Sequence, residues 1–164
     1  MSAVDLLPTP VPTAFEVREL FEGMLGRDVE WSDGKKVDPL EGAACATYVD
    51  DFSNIHAIAL VDVPLIARGG SAIALMPQNG AEQAVTSGLV TPPQFDNMSE
   101  ILNVAASLFN KKDTVHLKLK ETYAPRETLP GDVNSLALQE GGRIDGTLSI
   151  QGYGDGRISV IVAY

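Results

Sequence analysis

The sequence predicts an α+β fold: a two-layer domain with a mainly antiparallel sheet packed against helices. Three observations carry that expectation. Segments of helical period occupy the first two thirds of the chain, strand-period segments stand before and after them, and the clearest strand pairs are joined by short turn-rich links. The 164 residues suffice for one domain with a substantial core. Residues 1–12 contain three prolines and read as a flexible N-terminal arm, leaving 13–164 as the single domain.

The elements follow in order. Thr13 is an N-cap with Glu16 three residues on, which completes a capping box. The helix it starts offers Phe15, Leu20, Phe21, Met24 and Leu25 to the core and stops at Gly26. A short strand is expected around Trp31, with a turn at Asp33-Gly34. "AACATYVDD" and "IHAIALVDV" form a hairpin through the intervening Asp-Asp-Phe-Ser-Asn segment. "PLIARGGSAIALM" is helical from Pro64 onward, although Gly69 and Gly70 each weaken a helix by about 1 kcal/mol relative to Ala. Pro77 ends it and "GAEQAVTSG" adds a short helix. "FDNMSEILNVAASLFN", residues 95–110, is an amphipathic helix. Val115, Leu117 and Leu119 of "VHLKLKE" then alternate with His116, Lys118 and Lys120, and "GRIDGTLSI" and "RISVIVAY" alternate likewise around "QGYGDG".

Composition removes several function classes. A formal net charge of −10 counts against nucleic acid, whose phosphates require clustered Lys and Arg, and against anionic membranes. Cys45 is the only cysteine, so there is neither an intrachain disulfide nor a cysteine metal cluster. The start of the chain lacks the features of a secretory signal, and Asp62, Arg68 and Pro77 interrupt the most apolar stretch before it reaches spanning length. A cytoplasmic protein is expected.

The polar face of the 95–110 helix carries the functional information. With Glu100 at zero and about 100° per residue, Asp96, Asn103 and Ser107 fall within roughly 60° of it. Met98, Ile101, Leu102, Ala105, Leu108 and Phe109 take the opposite side, while the apolar Val104 joins the polar stripe. A mixed stripe of this kind suits protein contact. An isolated Glu-x-x-Asn is ordinarily only a solvated surface, but here the spacing continues. Three residues separate Asp96 from Glu100, two separate Glu100 from Asn103, and twenty-one separate Asn103 from Pro125. Average residue usage would produce that pattern in roughly one chain of this length in several hundred.

The pattern Asp/Ser-x3-Glu-x2-Asn-x21-Pro resembles the signature of the CheC/CheX/FliY family of chemotaxis phosphatases, nearest its CheX branch because one copy is present. The stretch after Asn103, "VAASLFN", departs from the Gly-containing stretch often found there. The resemblance implies a CheC/CheX-like fold and hydrolysis of the aspartyl-phosphate of a CheY-like response regulator. It implies Glu100 and Asn103 as the catalytic pair, with Asp96, Val104 and Ser107 touching the partner. No cofactor of the chain's own is implied, since Mg²⁺ is carried by the regulator. Asn suits that chemistry, because an amide donates and accepts without ionising and can orient a water in line with the P–O bond. Glu100 can pair with a regulator lysine. A homodimer is also implied, and the C-terminal strands are expected to leave an edge that needs covering. The rival expectation is a non-catalytic adaptor for a response regulator or a flagellar-switch component.

Other residues give weaker signals. His56 and His116 stand on strands without metal-ligand spacing, and Asp50-Asp51 reads as a solvated pair at a strand end. Gly152, Gly154 and Gly156 lie between strands and belong to a hairpin, while Gly69-Gly70-Ser71 lacks the lysine of a phosphate-binding loop.

Overall fold

The computed structural model describes residues 6–164; residues 1–5 of the expected arm lie outside the described residues. Helix α1 (Ala14–Leu25) leads to β1 (Val29–Asp33), then to the hairpin β2 (Ala44–Val49) and β3 (Ile55–Val61). Helices α2 (Val63–Ile73), α3 (Gln78–Ser87) and α4 (Pro92–Val104) follow, and α4 tightens into a 3-10 turn over Ala105–Leu108. The chain closes with β4 (Lys118–Tyr123), α5 (Gly131–Ala137), β5 (Arg143–Ile150) and β6 (Gly154–Val162). All strands pair antiparallel in the order β1-β5-β6-β3-β2-β4.

Alternation along the strands builds two cores. Ala57, Ala59 and Val61 of β3, with Ile158, Val160 and Val162 of β6, face the helix layer and meet Phe21, Leu65, Met98, Ile101 and Leu102. Their neighbours Ile58, Leu60 and Ile161 face the other way, where Val37, Val133 and Ala137 cover them. The helix layer expected from sequence is present, and the far face carries a thinner cover from α5 and the 34–43 segment. Sequence periodicity does not reveal α5, a short helix without a side-chain cap that buries only Val133 and Ala137.

The first helix forms as its caps dictate. Thr13 Oγ1 accepts from the Glu16 N–H at 3.1 Å, Glu16 Oε1 accepts from the Thr13 N–H at 3.1 Å, and Gly26 closes the helix at φ 66°. Its core face is corrected by the structure. Phe15 is 64% exposed, with the Arg18 guanidinium 5.3 Å from its ring centre, and Val17 takes the buried place instead. Phe15 is only the second helical residue, so it projects beyond the edge of the layer. Ahead of this helix, the Leu7 N–H donates to the Asp113 carbonyl at 2.7 Å, laying the described part of the arm beside the 110–117 segment.

Three further expectations change. Gly34 does not turn the chain: its N–H donates to the Asp145 carbonyl and prolongs the β1–β5 pairing. Strand β4 begins at Lys118 rather than Val115, because Asn110 occupies the place of a strand partner. Its side chain accepts from the Leu117 N–H at 2.8 Å and donates to the Leu117 carbonyl at 2.9 Å. The C-terminal strands β5 and β6 leave no edge, since they lie inside the sheet and the edges are β1 and β4.

Asp50 is buried rather than solvated, and only Asp51 is exposed. Its carboxylate accepts from the Phe52 and Asn54 N–H groups at 2.9 and 3.0 Å and from His56 Nε2 at 2.8 Å. These bonds, His56 first, lower its pKa to about 2. A carboxylate held below its unfolded value of about 3.8 stabilises the fold above that pH, and the contribution disappears as the pH falls toward 2. Urea denaturation should therefore show wild-type stability falling between about pH 4 and 2. Asp50→Asn should be less stable at pH 6 and should lose that part of the acid dependence.

Candidate functional site

Helix α4 is set at its N-terminus by chemistry already present in "TPPQ". Thr91 Oγ1 accepts from the Gln94 N–H at 3.3 Å, Gln94 Oε1 accepts from the Thr91 N–H at 2.9 Å, and Pro92 fills the first helical position. Gln94 is 1% exposed and does more than cap. Its Nε2 donates to Ser71 Oγ at 3.4 Å and to the Gly80 carbonyl at 3.3 Å, joining α4 to both α2 and α3.

The glycines of α2 explain themselves here. A Cβ on Gly70 would lie 2.3 Å from the Gln94 carbonyl oxygen, and one on Gly69 would lie 2.8 Å from Met98 Cε. Their absence lets α2 approach the backbone of α4 at Gly70 and the Met98 side chain at Gly69. The cost in helix propensity is recovered as contact. Asn97 Nδ2 donates to the Gly70 carbonyl at 2.8 Å across the same seam. At the other end of α4, where helix carbonyls lose their intrahelical partners, the Tyr48 hydroxyl donates to the Leu102 carbonyl at 2.7 Å. Burial pushes the Tyr48 phenol well above its ordinary pKa, so the hydroxyl stays a donor. Its ring packs on Phe109 at 4.9 Å between centres.

Anchored on its inner side by Met98, Ile101, Leu102 and Ala105, α4 turns the stripe outward. Asp96, Glu100, Asn103 and Ser107 are all exposed, and Val104 is 38% exposed among them. Neither Glu100 nor Asn103 makes a side-chain hydrogen bond to any described residue, so both polar ends are free. Asn103 lies in the last turn of α4. Beyond Val104 the 3-10 geometry advances about 120° per residue, which carries Ser107 about 60° further round than a continuous α-helix would. Asp96, Glu100 and Asn103 form the coherent stripe, and Ser107 stands beside it.

Pro125 has a physical role visible only in three dimensions. It is the second residue of a turn closed by the Glu127 N–H donating to the Ala124 carbonyl at 3.1 Å. That turn faces the start of α4 across a cleft of about 330 Å³ lined by Leu89, Val90, Phe95, Asp96, Pro125 and Arg126, among others. Glu100 and Asn103 lie outside the cleft, on the convex face of the helix.

Other candidates resolve into structure. His56 orients Asp50, His116 is exposed, Gly152 takes φ 84° in the β5–β6 turn, and Gly154 takes φ 112° as the first residue of β6. Gly156 is instead required by packing, since its Cβ would come 2.4 Å from the Leu65 α-carbon. Cys45 is buried, and desolvation raises its thiol pKa to about 12, so it is not a nucleophile near neutrality. Among the described residues no group of three or more His, Cys, Asp or Glu gathers for a metal ion, and no helix is long and apolar enough to cross a membrane.

The class this arrangement defines is an α+β domain whose helix α4 is anchored on its inner face and turns a polar stripe outward. Comparison with solved structures gives that class its fold. The chain is similar to a chain of the FliM–SpeE complex from H. pylori, with TM-score 0.59 and 7% identity over 91% of this chain and 80% of that one. It is similar to the FliM middle domain of Vibrio alginolyticus, with TM-score 0.52 and 12% identity over 89% and 86%. It is also similar to a chain of the CheX–CheY–BeF3–Mg complex from Borrelia burgdorferi, with TM-score 0.54 and 10% identity over 89% and 92%. No family model and no curated protein matches the sequence. The CheC/CheX-like fold implied by the motif is thus the fold the chain has.

The α2–α4 seam yields a direct test. Gly70→Ala should destabilise by about 1–3 kcal/mol in urea denaturation, because the obstacle is backbone and cannot yield. Gly69→Ala meets only the flexible end of Met98 and gains about 1 kcal/mol of helix propensity, so it should stay within about 1 kcal/mol of wild type.

Proposed function

We propose that this chain is a CheX-like phosphatase that hydrolyses the aspartyl-phosphate of a CheY-like response regulator in the cytoplasm. The observation that carries the reading is the pairing of Glu100 and Asn103, both exposed and both unbonded, on a helix whose inner face is fixed from end to end. A site on a convex helix suits a substrate that brings its own pocket. The regulator supplies the phosphoryl group, the Mg²⁺ and the surrounding cleft, and α4 inserts what is missing.

In that complex Glu100 pairs with a cationic side chain of the regulator and fixes the approach of α4. The Asn103 amide accepts a hydrogen bond from a water and holds it in line with the phosphorus. Attack forms the new P–O bond, the bond to the aspartyl oxygen breaks, and inorganic phosphate leaves while the aspartate recovers its carboxylate. Asp96, Val104 and Ser107 add contact around this centre.

A second reading has its own support. The similarity to a FliM middle domain and to a chain of the FliM–SpeE complex fits an adaptor that binds a regulator or a flagellar-switch component without hydrolysis. The two readings part on the behaviour of Asn103.

Phosphate release from phosphorylated regulator, measured beside binding to its beryllofluoride form, separates them. Asn103→Ala should lower turnover by on the order of 10²-fold and leave binding nearly intact. Glu100→Ala should weaken binding, and neither change should alter the melting temperature appreciably, since both side chains are exposed. Wild-type turnover in Asn103→Ala would favour the adaptor. The isolated chain should bind no stoichiometric Mg²⁺ in the same preparation.

We assign the chain as a homodimer on the motif resemblance alone, because the edge strands are β1 and β4 and not the C-terminal pair. Sedimentation equilibrium should report twice the 17.4 kDa chain mass. A 17.4 kDa species alone at working concentration would remove the assignment.

A further inference from the structure

Arginine use in this chain is lopsided. Arg18 pairs with Glu22, Arg68 with Glu82, Arg143 with Asp145 and Arg157 with Asp62, while Arg27 donates to the Gln151 carbonyl and lies over Tyr153. Arg126 alone among them has no hydrogen-bond or ion-pair partner among the described residues. It is exposed at the mouth of the cleft formed by Leu89, Val90, Phe95 and Pro125.

Its backbone is also in the wrong place for its residue type. Arg126 has φ 72° at the third position of the Ala124–Glu127 turn, directly after proline. A turn with Pro second and positive φ third favours glycine, because a Cβ there crowds the backbone. Local folding preference would therefore discard this arginine. Residues held in a strained backbone conformation cluster at ligand clamps and switch regions. The apolar neighbours point the same way, since Leu89, which lines the same cleft, is 61% exposed.

We infer that Arg126 and the Leu89–Phe95–Pro125 cleft form a second contact for the regulator, receiving an apolar side chain flanked by a carboxylate; this rests on the regulator-binding reading above. Position supports that occupant. Asp96 lines the cleft and begins the stripe, so the cleft lies only two helical turns, about 10 Å, from Asn103. Charge supports it as well. A chain of net charge −10 repels an acidic partner in general, and an unpaired cation beside the site is where local attraction can be made. The contact touches no reacting atom and serves affinity and choice of partner.

Receiver domains from the same genome, each loaded with beryllofluoride and Mg²⁺, are titrated against the wild-type chain, and the tightest binder becomes the probe. Arg126→Gly should melt no lower than wild type, because glycine relieves the turn, yet raise Kd roughly five-fold, the worth of one partly exposed charge pair. Arg126→Glu should raise it roughly ten-fold or more, with the difference shrinking at high salt. Leu89→Asp, at an exposed position, should also weaken binding without unfolding the chain. Wild-type affinity in Arg126→Gly or in Leu89→Asp overturns the inference, as does failure of every receiver to bind. Binding that depends on both residues, with no phosphate release by the wild type, overturns only the phosphatase reading.

Discussion

The close approach of α2 to α4 is the constraint on which the candidate site depends. At Gly70 the space a methyl group would fill is taken by the backbone of Gln94, and at Gly69 by the end of Met98. Once the helices sit at that distance, Asn97 reaches the Gly70 carbonyl and Gln94 reaches Ser71 and Gly80. Rotation of α4 is then defined from its inner side. The outward direction of Glu100 and Asn103 follows without any hydrogen bond to them. A site made this way leaves its polar groups free while the scaffold bears the cost of ordering.

Much of the fold is legible in the sequence because it is written in periodicity. The capping box at Thr13 and Glu16, the two hairpins and the amphipathic α4 each follow from local rules that tertiary structure does not override. Phe15 escapes because a helical period says which face a residue takes, but not whether the layer extends that far. The helix α5 escapes because it is too short to show a period and buries only two side chains. Asp50 escapes for another reason: its partners are turn N–H groups and a histidine six residues on, an arrangement that exists only once the hairpin has closed.

The site divides along the same line. Exposure of Asp96, Glu100 and Asn103 is legible, since spacing of three and four residues fixes a face. The tilt of Ser107 is not, because the change to 3-10 geometry after Val104 has no sharp sequence signal. By propensity the glycine pair is a weakness of α2, yet in the fold it is the condition for seating α4. The two observations agree once the helix–helix distance is known. In the sequence Pro125 is only a position in a pattern, and its turn and the strained residue after it appear only in three dimensions.

The shape of the site also bears on what can be its substrate. A small-molecule hydrolase surrounds its ligand, excludes water and supplies a nucleophile or metal from its own walls. Here the paired side chains stand on a convex helix, outside the neighbouring cleft, and the only cysteine is buried with its thiol pKa raised to about 12. Two polar groups on such a surface cannot desolvate a reaction unaided. They can complete a cavity that another protein presents, and a rigid helix is well suited to entering one. For the proposed phosphatase an amide is enough, because phosphoryl transfer asks for position more than for covalent chemistry. The geometry that makes this helix a poor pocket is what makes it a suitable insert.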